Sequence, residues 1–186
     1  IDVTAEEHMR RVTVLVPQEP GAWANLGLLA LRRTAFAQAD QYLQKARALA
    51  PESSQIQFLS GLLESLQGRS PEARLYLQRA VALEPHNLRV MYALAQLLEQ
   101  QGGEDSATEA QQVLRQMHLA QPDNLAVWLE LARVAAKRGD MQTLQDMLVL
   151  LQGKAPAWPP AAQEHLRALQ TMAGEARTNR AAQHVM

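Results

Sequence analysis

The side chains best suited to chemistry in this sequence are five histidines, at positions 8, 86, 118, 165 and 184. No two stand three or four residues apart, so no helix face carries a pair of imidazoles. No His-Glu-x-x-His occurs either. His118 falls near the end of an expected helix, where a cation complements the dipole, and surface or capping roles account for each of the five. The acidic pairs Glu6-Glu7 and Glu104-Asp105 fall at expected helix starts. Dipole complementarity explains them better than general acid–base catalysis or calcium binding. The glycines make no Gly-x-Gly-x-x-Gly, no Walker loop and no Gly-x-Ser-x-Gly. Cysteine is absent, which removes disulfides, thiolate zinc sites and covalent haem attachment. These residues call for no cofactor, no metal and no catalysis.

What remains is surface. The formal net charge is −1 and the 18 basic residues are dispersed, which argues against nucleic-acid binding by phosphate neutralisation. No apolar run reaches the roughly 18 residues that a membrane span needs. Ala, Leu, Gln, Glu and Arg dominate, all good helix formers, and no sustained apolar–polar alternation appears. The expectation is an all-α chain.

The elements follow a register. Trp23 to Pro51 holds two short amphipathic helical patterns, expected near 21–33 and 36–49, joined by a tight break and closed by proline. That layout returns with Pro17, Pro51, Pro85, Pro122 and Pro156, at spacings of 34, 34, 37 and 34 residues. A fixed period of this size means stacked helix pairs rather than one closed core. Proline lacks the amide donor and clashes with the preceding turn, so each marks where a second helix must end.

The register resembles the tetratricopeptide repeat, whose pattern is Trp-x2-Leu-Gly-x2-Tyr, then Ala-x3-Phe, Ala and Pro. Unit one matches at Trp23, Leu26, Gly27, Ala39, Leu43, Ala46 and Pro51. Unit two matches at Gly61, Ala73, Leu77, Ala80 and Pro85, but Gln57 and Ser60 depart at the tryptophan and leucine slots. Unit three carries Met91, Leu94, Ala95, Ala110, Leu114, Met117 and Pro122. Unit four carries Trp128, Leu131, Ala132, Leu144, Leu148, Leu151 and Pro156. The resemblance implies a right-handed α-α superhelix of four full repeats, with an N-terminal half repeat and a C-terminal capping helix. The expected boundaries are 1–19 for the second helix of an incomplete repeat, then 20–53, 54–87, 88–124 and 125–158. Residues 159–186 form the capping helix, with Leu166 and Leu169 on one face, and a tail from Glu175 that reads either as a further helix or as a junction.

Local signals sharpen the joints. Thr4-Ala5-Glu6-Glu7 and Ser106-Ala107-Thr108-Glu109 read as capping boxes. Ser70 reads as an N-cap ahead of Pro71, and Asn87 and Asn124 as caps before first helices. Three extra residues fall in the stretch Gln101 to Ser106, where two glycines supply flexibility. Gly27, Ala39, Ala46, Gly61, Ala73 and Ala80 permit close helix approach.

In the family, positions two, five, nine, twelve and thirteen of each unit tend to line a concave groove. Such a surface suits an extended peptide or a helix. The five and nine slots here are Ala24 and Leu28, Phe58 and Leu62, Tyr92 and Gln96, and Leu129 and Arg133. Leu31 and Lys137 lie near the same face, as do Leu66 and Gln100. The expected groove is apolar at one end, aromatic in the middle and basic at the other. It fits an apolar peptide with an acidic group. Packing of Phe58, Leu28 and Leu62 against the N-terminal helix or a neighbouring domain is the competing reading. The carboxylate clamp of chaperone-binding members does not carry over, because its lysine and asparagine slots are mostly apolar here.

Two narrower resemblances are local. The extended turn at Gly102–Ser106 is similar to that of repeat proteins of bacterial cytochrome c maturation. The run from Leu131 to Pro160, with Lys137-Arg138-Gly139-Asp140 and Trp158-Pro159-Pro160, resembles bacterial proteins whose repeats precede an FG-GAP type propeller region. That likeness implies an exported protein. The chain opens in mid-repeat at Ile1 and reads as part of a longer polypeptide. Three functions follow as expectations: a non-catalytic interaction module with a protein or peptide partner, an accessory segment of a larger exported enzyme or propeller protein, or a scaffold that self-associates through its N-terminal half repeat.

Overall fold

The protein is described here by a computed structural model over residues 2–158, 160, 163–164, 166–171 and 173–174, the side chains of residues 2–4 excepted. The described residues contain helices and turns and no strand. They fall into two compact units, residues 1–101 and 102–186.

Unit 1 comprises α1 (Asp2–Leu15), α2 (Pro20–Arg32), α3 (Phe36–Leu49), α4 (Ser54–Leu66), α5 (Ser70–Leu83) and α6 (Leu88–Gln101). Each helix packs on the next. In addition α2 touches α4 and α4 touches α6, so the three first helices make one layer with α3 and α5 packed against it. The close approach rests on two glycines. A Cβ at Gly27 would stand 2.7 Å from Leu43 Cδ2, and one at Gly61 would stand 2.7 Å from Leu77 Cγ. Ala39, Leu43, Ala46, Ala73, Leu77 and Ala80 are sealed from solvent on the facing helices.

Unit 2 comprises α7 (Glu104–Ala120), α8 (Leu125–Arg138), α9 (Met141–Lys154) and a 3-10 turn, Ala155–Ala157. Helix α8 packs on both α7 and α9. Beyond it residues 163–164, 166–171 and 173–174 are helical, with Leu166, Leu169 and Ala173 buried. These residues fall where the capping helix is expected. The tail from Glu175, with His184, and also His165 lie outside the described residues.

The prolines act as the chemistry requires. Helices α1, α3, α5, α7 and α9 end at residues 15, 49, 83, 120 and 154, two residues before Pro17, Pro51, Pro85, Pro122 and Pro156. Clash with the proline ring pushes the preceding residue out of the helical region. Ala50, Glu84 and Gln121 accordingly share one conformation, with φ/ψ of −141/76, −133/79 and −137/81. Ala155 differs, because Pro156 lies inside the 3-10 turn and Ala155 stays helical.

Several joints differ from the sequence reading. Helix α1 already begins at Asp2, so Thr4 lies within it and Glu6-Glu7 sit beyond its first residues; Glu6 instead pairs with Arg10 and Arg33. The cap of α5 is Arg69, with Ser70 as first helical residue and Pro71 as second. The three extra residues of the third repeat do not lengthen a loop. They give α7 17 residues where α3, α5 and α9 have 14, and Ser106 falls inside the helix. Glu104 and Asp105 do sit in its first turn, as dipole complementarity predicts. Asn124 Oδ1 accepts from the amides of Ala126 and Val127, and Asn87 Oδ1 from that of Val90 at 3.4 Å, so both act as caps. A left-handed residue recurs at positions 34, 68, 102 and 139; Thr34 is its one non-glycine occupant.

Candidate interaction face

The first-helix layer of unit 1 presents a face built by helical spacing. On α2 it holds Ala24, Leu28 and Arg32; on α4, Phe58, Leu62 and Leu66; on α6, Tyr92, Gln96 and Gln100, with Arg89 one turn earlier. Leu28, Leu62 and Tyr92 are half-buried, while Gln96 is exposed. Leu66, the last residue of α4, is 59% exposed, as Leu15 and Leu119 are exposed near the ends of α1 and α7. Ala24, Leu31 and Phe58 are buried and lend shape rather than contact area. Phe58 owes part of its burial to Arg89, whose guanidinium carbon lies 4.8 Å from the ring centroid. That contact joins the α4 and α6 surfaces into one.

The electrostatics of this layer are one-sided. Helix α2 contains no carboxylate, and α4 contains only Glu64, which is buried and bonded to Arg69. The carboxylate of α6 is Glu99, which is itself engaged. Arg32 and Arg89 are exposed, and among the described residues neither has a carboxylate partner. Spacing identifies positions two and thirteen as facing this side, yet the apolar slots draw attention away from the two arginines that occupy them.

At the start of the first helices α2, α4 and α8 the contacts are structural. The Trp23 indole donates to the Pro17 carbonyl at 2.9 Å, and that of Trp128 to Pro122 at 2.6 Å. Gln57 occupies the equivalent slot in the second repeat, and its Nε2 donates to the Pro51 carbonyl at 2.6 Å. Among the described residues no group of three His, Asp or Glu side chains could hold a metal, and no helix is long and apolar enough to cross a membrane.

Three solved structures resemble this chain closely in backbone. PilF of Pseudomonas aeruginosa has a TM-score of 0.66 at 20% identity, over 90% of this chain and 72% of that one. TTC0263 of Thermus thermophilus, described as a thermophilic TPR protein, has 0.61 at 24%, over 70% and 71%. YrrB, described as a TPR protein with an unusual peptide-binding site, has 0.61 at 16%, over 94% and 82%. The fold is that of the tetratricopeptide repeat. No family model and no curated protein sequence matches the chain.

In unit 2 a single tetratricopeptide-repeat first helix, α8, carries the other expected groove residues. Leu129 is half-buried, Lys137 is exposed, and Arg133 is exposed but pairs with Glu130 at 2.7 Å. Other polar groups of unit 2 are engaged at its own joints. Asp140 Oδ1 caps α9 by accepting from the Thr143 amide at 3.1 Å. Its Oδ2 accepts from the Thr143 hydroxyl at 2.8 Å, Gln111 at 2.5 Å and Arg115 at 3.0 Å. Arg138 bonds Gln111, Glu104 and Thr108.

This network carries a pH dependence. Burial disfavours the Asp140 charge, but bonds from the Thr143 hydroxyl and amide and from Gln111, with the charge of Arg115, outweigh it. The carboxyl is held below its usual range. A folded-state value below the unfolded one contributes stability above the unfolded value, and that stability is lost as pH falls through the folded value. Unit 2 should therefore weaken on acidification below about pH 4, and Asp140→Asn should flatten the dependence. Urea midpoints of the two proteins across that range test this. Parallel curves would refute it.

Proposed function

We propose that this protein is a non-catalytic interaction scaffold whose first-helix face holds a peptide or helical segment of a protein partner. The carrying observation is that Leu28, Leu62, Leu66 and Tyr92 stand partly exposed on one helical face each of α2, α4 and α6, which pack side by side, with Leu66 more than half exposed. A partner that covers these partly exposed apolar groups removes their surface from water, which favours association. Half-buried Tyr92 supplies the aromatic anchor that interfaces favour. In unit 2, Leu129, Arg133 and Lys137 offer a second, more basic contact strip. YrrB, a TPR protein with an unusual peptide-binding site, supports the reading by analogy of fold.

The test compares the protein with a Leu66→Ser/Tyr92→Ala variant in pull-downs from native extract, read by mass spectrometry. Both positions are partly solvated, so helicity should be unchanged. Partners retained by the parent and lost by the variant are the expected result. An identical set on both would remove this face from the reading.

A further inference from the structure

Charge decides what kind of segment this face accepts. The three first helices of unit 1 contain two carboxylates, Glu64 and Glu99, and both are engaged. They contain two arginines, Arg32 and Arg89, and neither has a carboxylate partner among the described residues. The other arginines of unit 1 mostly answer local acids: Arg10 and Arg33 bond Glu6, Arg47 faces Asp40, Arg69 bonds Glu64 and Arg79 bonds Glu52. The chain as a whole is slightly acidic, so unanswered cations on this layer run against its average.

Resting on the interaction face argued above, we propose that its occupant is an acidic, leucine-rich segment and that Arg89 selects for it. Arg89 lies over the Phe58 ring, and helical spacing puts Tyr92 one turn from Arg89 and Leu62 one turn from Phe58. A carboxylate one helical turn from an apolar anchor meets the guanidinium while the anchor meets the strip. Arg89 keeps its ring contact on one face and offers its edge N–H groups to the carboxylate. Arg32, on the same exposed edge of α2 as Leu28, receives a second acidic group. A basic segment meets two like charges that lack a carboxylate partner, while the groove-side carboxylate, Glu99, is already engaged; this is the repulsive half of specificity.

The probes are two synthetic helical peptides with identical leucine positions, one with glutamate and one with lysine at every polar position. Each is titrated into the full chain by fluorescence anisotropy. The glutamate peptide should bind at least about tenfold more tightly, with affinity falling as salt rises. Arg89→Glu should abolish that preference. Arg79→Glu, an equal charge change on the second helix α5, should leave it in place. Leu66→Ser/Tyr92→Ala should weaken both peptides alike. Equal binding of the two peptides, with both lost in the Leu66/Tyr92 variant, would overturn the acidic selection and leave the face itself standing. Binding of neither peptide, or binding indifferent to the Leu66/Tyr92 change, would overturn both.

Discussion

Replacing Gly61 by leucine should destabilise the protein by about 3 kcal/mol or more, the largest loss expected from any single helical glycine. The reason is geometric. Even one carbon added at Gly61 would lie 2.7 Å from Leu77 Cγ, 2.9 Å from Leu77 Cδ2 and 3.3 Å from the Ala73 carbonyl oxygen. Leu77 is 1% exposed and Ala73 is sealed, so neither neighbour has room to retreat. The helices α4 and α5 must separate, and every contact between them lengthens. Gly153 gives the opposite sign. It sits in α9, where an added Cβ would meet nothing within 4 Å, so Gly153→Ala should gain about 0.5–1 kcal/mol from helix propensity alone. Urea midpoints of the two variants decide the matter. A stabilised Gly61→Leu protein would mean that α4 and α5 do not approach as described.

Much of this architecture was legible because two residue types leave little freedom. Proline disfavours helix at the residue before it, and glycine marks the sites of closest approach or left-handed backbone. Their recurrence therefore revealed the helix ends and the tight pairs together. Joints governed by weaker preferences were harder to read. Ser70 and Ser106 look like caps, yet serine also tolerates the first helical turn, and both lie inside helices. The three extra residues of the third repeat look like loop because two glycines head them. Only the bounds of α7 show that they lengthen a helix instead.

The interaction face divides the same way. Helical spacing located its apolar residues, and it also places Glu130 three residues before Arg133, where the two pair. Spacing cannot show that Arg89 is unpaired, because that depends on where the acids of the other unit 1 helices stand in space. The basic end expected near Arg133 and Lys137 is thus joined by an unanswered pair of arginines far from it in sequence. Phe58, expected as an anchor, contributes through the arginine that covers it.

The two departures in the second repeat lead to a counterintuitive expectation. Ser60 takes a slot where the repeat pattern has leucine, so Ser60→Leu would bring the chain closer to that pattern. It should nevertheless cost about 3 kcal/mol, combining overpacking with a stranded polar partner. Ser60 is sealed from solvent. Its hydroxyl donates to the Ile56 carbonyl at 2.9 Å and accepts from Arg47 Nη1 at 2.8 Å. Arg47 in turn lies 5.2 Å from the Tyr76 ring and 3.9 Å from Asp40, so one guanidinium ties α3 to both α4 and α5. Leucine there would fill the space that the guanidinium reaches into and leave it without its buried acceptor. If that is the cause, Arg47→Met should largely abolish the penalty, since a flexible apolar chain needs no acceptor and can pack beside leucine. A double-mutant cycle in urea measures this directly. A neutral or stabilising Ser60→Leu, or a penalty unchanged in the Arg47→Met background, would show that the serine is a tolerated departure rather than the seat of the arginine.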